Sequence, residues 1–129
     1  MIRSIGIIKY YDRNKINILV DVDLGRLAMA LIPPWLNPRQ TRYPPHITVL
    51  RNEGNICHHD WGKYDNWMIS FSYDPEIKFD NTYFWHAAVC PMANSIRKNL
   101  GLNPTTDLTR PPDGSDFMHI TVANRKRNV

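Results

Sequence analysis

Two short stretches of this 129-residue chain carry the same four residues, His-Ile-Thr-Val, at positions 46–49 and 119–122. Histidine changes its charge near neutral pH, so two histidines together can supply both a proton donor and a proton acceptor. Threonine hydroxyls can donate hydrogen bonds to the oxygens of an anion as its charge develops. The candidate catalytic residues are therefore His46, Thr48, His119 and Thr121, and the chemistry they indicate is general acid–base catalysis on an anionic substrate.

Strands are the elements that would position these side chains. Side chains alternate between the two faces of a strand, so the histidine and threonine of each motif share one face. The isoleucine and valine of each motif (residues 47, 49, 120 and 122) then face the core. Two such strands side by side would bring both histidines and both threonines into one cleft.

The surrounding elements occur twice in the same order: a hairpin, a short helix, a proline-rich loop and the motif strand. The two half-repeats span about residues 4–52 and 67–125. Leu24, Leu27, Ala28 and Leu31 recur at helical spacing and predict the apolar face of the first helix. The sequence thus predicts one α+β domain over residues 1–129, with pseudo-twofold symmetry, two lobes, antiparallel sheets lining a central cleft and helices outside.

The paired H-x-T motifs resemble those of the 2H phosphoesterase superfamily. The resemblance implies a phosphodiesterase that needs no metal and no cofactor, with a ribose 2′-hydroxyl or water as nucleophile. The small size looks most like the phage nucleases that hydrolyse 3′–5′ bonds of cyclic di- and trinucleotide signals and so evade the host's CBASS antiphage immunity. The alternative within the family is a 2′,5′-oligoadenylate or RNA 2′,3′-cyclic phosphodiesterase. Which histidine is the acid and which the base stays open.

Residues that would hold the substrate are less clearly marked than the histidines. Tyr11 and Trp85 are the two aromatic side chains that we expect to stack on nucleobases. Arg42, Tyr43 and Arg110 lie close to the proline-rich loops and could meet a phosphate, although an arginine beside such a loop is commonly only solvated.

Readings from other classes compete with an enzyme. A non-catalytic sponge could bind a cyclic nucleotide in the same groove, but a pure binder needs no pair of titrating side chains. A zinc site at residues 57–60 (Cys-His-His-Asp) lacks a second pair of ligands at the usual spacing, and a polar loop is the default interpretation. An RNA-binding module ranks last, because the net charge of +4 is modest and no RNA-binding motif is present.

Composition sets the expected surroundings. No apolar run is long enough to cross a membrane, and the first residues do not form a signal peptide. Two cysteines do not make a disulfide framework, and we expect both to be reduced. These features predict a cytoplasmic protein, in the host cytoplasm if it is viral. The expected partner is a nucleotide substrate, with neither a membrane nor a stable duplex nucleic acid, and the oligomeric state stays open.

Overall fold

The computed structural model describes residues 1–126, so residues 127–129 of the predicted domain lie outside the described part. The elements, in chain order, are β1 (Ile2–Tyr11), β2 (Lys15–Leu19), α1 (Asp23–Leu31), β3 (Pro38–Arg39), β4 (His46–Arg51), β5 (Met68–Tyr73), β6 (Lys78–Phe79), β7 (Tyr83–Val89), α2 (Pro91–Asn99) and β8 (Met118–Arg125). A single 3-10 turn, Pro34–Leu36, follows α1. Neither helix within residues 1–126 has the length and apolar character needed to cross a bilayer.

Six strands close into one antiparallel barrel. The strand order is β8, β4, β2, β1, β5 and β7, and β7 pairs back along β8 to close the ring. The two-residue strands β3 and β6 add to β8 and β7. Closure pairs each barrel strand on both sides, which leaves no open edge on the barrel.

The predicted two-lobed α+β fold is wrong. The motif strands β4 and β8 pair directly with each other. On the other side of the ring, β1 from the first half pairs with β5, and β5 pairs with β7. The two halves are therefore joined by hydrogen bonds along two seams and form one barrel. The two short helices pack on this barrel, α1 against β8 and α2 against β4.

The apolar residues of both motifs are buried as predicted. Those at positions 47, 49, 120 and 122 are each at most 1% exposed. Helix α1 differs from its prediction: Leu24 and Ala28 are buried, but Leu27 and Leu31 are more than half exposed. Gly25 lies on the buried side, where an added Cβ would be 3.4 Å from Cγ of Pro45. The helix thus turns its smallest side chain toward the barrel, and this moves the predicted apolar stripe partly into solvent.

Candidate active site

The two H-x-T motifs lie side by side on neighbouring strands. Ile47 of β4 is directly opposite Ile120 of β8, and both side chains are fully buried. Because the strands are antiparallel, this pairing puts His46 beside Thr121 and Thr48 beside His119. All four polar side chains are half-buried and line a single cleft of about 780 Å³: His46, Thr48, His119 and Thr121.

The register places the two histidines at diagonal corners of a four-residue square. Diagonal neighbours on paired strands have Cα atoms roughly 7–8 Å apart, which is within reach of long or aromatic side chains. Two imidazoles at this separation can approach one tetrahedral group from opposite sides. Each imidazole also has a threonine hydroxyl from the partner strand beside it, so both halves of the square present one titrating group and one hydroxyl.

Main-chain carbonyls fix both imidazole rings. Nδ1 of His46 lies 2.9 Å from the carbonyl oxygen of Pro44, and Nδ1 of His119 lies 3.0 Å from that of Thr109. A carbonyl oxygen can only accept a hydrogen bond, so Nδ1 is the protonated nitrogen in each neutral ring. Nε2 is then the nitrogen that gains or gives up a proton in both residues, and the two proline-rich loops supply this arrangement.

The surroundings of His119 affect its protonation. Burial lowers the pKa of His119, and the nearby His46 lowers it further, while the hydrogen bond to Thr109 and the carboxylate of Asp113 act in the opposite direction. His119 is therefore neutral at pH 7 and has a free lone pair on Nε2. A neutral imidazole suits the task of a general base.

A β-bulge follows each motif. Val49-Leu50 and Val122-Ala123 are consecutive buried pairs, and in both strands the register slips at this point by one residue. The extra residue restarts the alternation of side chains between the two faces. The side chain that follows each buried pair therefore lies on the cleft face. That side chain is Arg51 on β4 and Asn124 on β8, and both line the cleft. The two strands therefore have similar burial patterns over six residues, two more than the repeated tetrapeptide.

A buried arginine holds the first bulge. Arg97 of α2 is fully buried, and its Nη1 donates to the carbonyl of Val49, the extra residue of the bulge, at 2.8 Å. Its guanidinium also forms two hydrogen bonds with Glu53, at 2.6 and 3.0 Å. The carboxylate neutralises the buried cation. The cation in turn donates a hydrogen bond to the carbonyl of the extra residue, which the pairing of the strands does not use.

The same ion pair anchors the second proline-rich loop. Nε of Arg97 donates to the carbonyl of Asn103 at 2.7 Å, and the hydroxyl of Thr106 donates to Glu53 at 2.8 Å. Thr106 in turn is bound to Thr109 through three hydrogen bonds. Thr109 supplies the carbonyl that orients His119, so this network connects α2 to the four-residue square.

The rim of the cleft carries rings and charges. Tyr43 and Tyr83, which are 62% and 44% exposed, both line the cleft and present ring surface to a planar group. Arg42 lies on one side, with its guanidinium 5.7 Å from the ring of Tyr43. Arg110 also lines the cleft, but its guanidinium lies 3.1 Å from the carboxylate of Asp116, and this ion pair weakens its attraction for an anionic ligand.

The two predicted stacking residues do not line the cleft. Tyr11 lies in one cross-strand row with Lys15 and Arg51, and its ring lies 5.3 Å from the ammonium of Lys15. Trp85 is directly opposite Thr121, but it is only 2% exposed. A nucleobase has no access to a ring buried to this extent, so Trp85 cannot stack on one.

The alternative zinc ligands are not brought together. His58 forms a hydrogen bond from Nε2 to the carbonyl of Arg13 at 2.7 Å, and His59 is exposed. Within residues 1–126, no three His, Cys, Asp or Glu side chains are grouped closely enough to hold a metal. Cys57 and Cys90 are free thiols, as predicted.

None of the protein families, curated proteins or solved structures compared with the chain matches it. Only the residues of the cleft and their geometry therefore bear on the function.

Among the cleft residues that were not predicted from the sequence are Arg51, Tyr83 and Asn124. A signal for two of them was present. Each motif is followed by a second apolar residue and then a polar one, Leu50-Arg51 and Ala123-Asn124. Two apolar residues in succession after a clean alternation are the pattern that a bulge produces. Tyr83 carried no such signal, because its position depends on the pairing of β7 with β8.

Proposed function

We propose that this protein is a metal-independent phosphodiesterase that acts on a nucleotide. The observation that supports the proposal is the four-residue square, in which two histidines lie at diagonal corners, two threonines lie at the others, and main-chain carbonyls accept hydrogen bonds from both Nδ1 atoms. Acid–base catalysis of phosphoryl transfer needs one group to remove a proton and another to deliver one, and the square supplies both. The nucleophile is a ribose 2′-hydroxyl or water.

The division of labour follows from the environment of His119. Neutral His119 takes the proton of the attacking oxygen on Nε2 while that oxygen forms its bond to phosphorus. Protonated His46 gives its Nε2 proton to the leaving oxygen as the second phosphorus–oxygen bond breaks. The hydroxyls of Thr48 and Thr121 donate hydrogen bonds to the non-bridging oxygens, whose charge increases in the transition state.

The cleft supports a substrate larger than a single phosphate group. Its volume falls in the range of pockets that enclose a drug-sized ligand. Tyr43 and Tyr83 offer two separate exposed rings for nucleobases. Cyclic di- and trinucleotide signals are the first candidates, with evasion of a host antiphage defence in the cytoplasm as the biological role. A 2′,5′-oligoadenylate or a 2′,3′-cyclic RNA end is the second candidate.

Substitution of each histidine tests the proposal. We expect His46→Ala and His119→Ala each to lower kcat about 10²–10⁴-fold, since each removes a general acid or base. His59→Ala is the matched control, because His59 is exposed and lies in a different loop from the cleft. The measurement is turnover of 3′,3′-cyclic dinucleotides, 2′,5′-oligoadenylate and an RNA with a 2′,3′-cyclic phosphate end.

The outcomes separate three functions. Cleavage of one substrate that both histidine variants lose, and the control keeps, supports a phosphodiesterase and identifies its class. Equal turnover in folded His46→Ala and His119→Ala proteins contradicts the proposal. Tight binding of a cyclic dinucleotide that is recovered intact after heating the complex favours a sponge instead.

A further inference from the structure

One end of the cleft carries unneutralised positive charge. Arg51 lines the cleft directly after the first bulge, and its register partner on β2 is Lys15. Within residues 1–126, neither side chain lies within ion-pair distance of a carboxylate, in contrast to Arg97 and Arg110. Like charges directly opposite each other on paired strands are destabilising. The arrangement therefore lowers stability unless an anion binds there.

Aromatic side chains extend this cationic end to the cleft rim. The ammonium of Lys15 lies 5.3 Å from the ring of Tyr11 and 5.9 Å from that of Tyr43, which lines the cleft. Arg42 lies on the same ring. Lys15 is thus held near the cleft by two cation–π contacts, rather than extended freely into solvent.

The opposite end differs in charge. Asn124 follows the second bulge in the position that Arg51 has after the first, and its register partner is Tyr83. Asp80, whose carboxylate accepts a hydrogen bond from the main-chain N–H of Tyr83, also lines the cleft here and is not a ligand for a phosphate. Because the two ends have equivalent backbones but different side chains, the cleft has a polarity that its repeated motif lacks.

We propose that Arg51 and Lys15 form a second phosphate subsite, next to the catalytic square. The inference rests on the proposed function and narrows its substrate class to nucleotides that carry at least two phosphates. Arg51 is three residues beyond Thr48 along β4, and a strand rises about 3.3 Å per residue, less where it bulges. The side chain of an arginine reaches back over part of that distance. The subsite therefore binds the phosphate adjacent to the scissile one and places that scissile phosphate between the histidines.

The test compares substrates that differ by one phosphate. A nucleoside 2′,3′-cyclic phosphate has one, and a dinucleotide with a 2′,3′-cyclic phosphate end has two. We expect Arg51→Gln to lower the ratio of kcat/KM for the second substrate over the first about 10- to 100-fold, the effect of losing a charge-assisted hydrogen bond. Arg51→Lys should restore part of the ratio. Arg3→Gln, an exposed strand arginine with the same change in charge, should leave it unaltered.

A binding measurement keeps this inference separate from the proposed function. Thymidine 3′-phosphate and the thymidine dinucleotide with a 3′-phosphate lack the 2′-hydroxyl and differ by one phosphate. If the protein cleaves neither cyclic phosphate, and no 3′,3′-cyclic dinucleotide or 2′,5′-oligoadenylate either, but binds the dinucleotide more tightly, and Arg51→Gln abolishes that preference, the subsite stands and the phosphodiesterase proposal does not. An unchanged preference in folded Arg51→Gln, in either assay, overturns the subsite.

Discussion

At the scale of single residues, the pKa of His119 makes a prediction about pH. A general base must be neutral, so kcat/KM rises with pH through the pKa of the free enzyme's base. Burial and the nearby His46 lower this pKa below its ordinary value of about 6.5. We therefore expect the acid limb of the kcat/KM profile to have its midpoint below pH 6.5, with activity still high at pH 6.5.

A variant checks the assignment of that limb. The carboxylate of Asp113 raises the pKa of His119, so Asp113→Asn should move the midpoint to still lower pH. The titration of the His119 ring, followed by NMR, should have the same midpoint as the acid limb. An acid limb centred at or above pH 6.5, or a ring titration that departs from it, would show that His119 is not the base.

At the scale of the elements, Glu53 connects β4, α2 and the second proline-rich loop. Its removal leaves the fully buried cation of Arg97 without a counter-charge. We expect Glu53→Ala to lower the free energy of unfolding by about 3–5 kcal/mol, measured by urea denaturation. The chain's other glutamate, Glu76, is exposed, and Glu76→Ala should change stability by no more than about 0.5 kcal/mol.

The same substitution should also disturb the cleft. Thr106 loses its hydrogen bond to Glu53, and Thr106 is bound to the residue whose carbonyl orients His119. If the free energy of unfolding of Glu53→Ala, measured by urea denaturation, equalled that of the natural protein, the ion pair would not anchor the loop as described.

At the scale of the whole molecule, the barrel wall includes a close approach of β1 and β2 at Gly6. A Cβ at Gly6 would collide with Cγ2 of Ile18 and lie 3.0 Å from the carbonyl oxygen of Leu19. We expect Gly6→Ala to lower the free energy of unfolding by about 1–3 kcal/mol, the usual cost of overpacking. Gly54→Ala, where nothing lies within 4 Å of the added Cβ, is the matched control and should leave the free energy of unfolding almost unchanged. Thermal melts of both variants check this. Equal melting temperatures of the two variants would contradict this account of the packing.

The site was more predictable from the sequence than the fold. Alternation in the two motifs is a local property, and it correctly placed both isoleucines in the core and both histidines on one face. The closed barrel instead depends on long-range pairings, such as β1 with β5, that no local period records. Trp85 was misjudged for the same reason: its burial depends on which strands lie beside β7, not on its own segment.

The carbonyls of Pro44 and Thr109 have a consequence for how this protein tolerates change. A carbonyl oxygen is present whatever the side chain, so alanine substitutions in the two loops, apart from those at Thr106 and Thr109, would leave both imidazole orientations in place. The number of residues between each carbonyl and its histidine cannot vary as freely. One residue separates Pro44 from His46 and nine separate Thr109 from His119, and an insertion in the first of these would turn the carbonyl away from Nδ1. Divergence of such a site would be recorded in loop lengths rather than in residue identities.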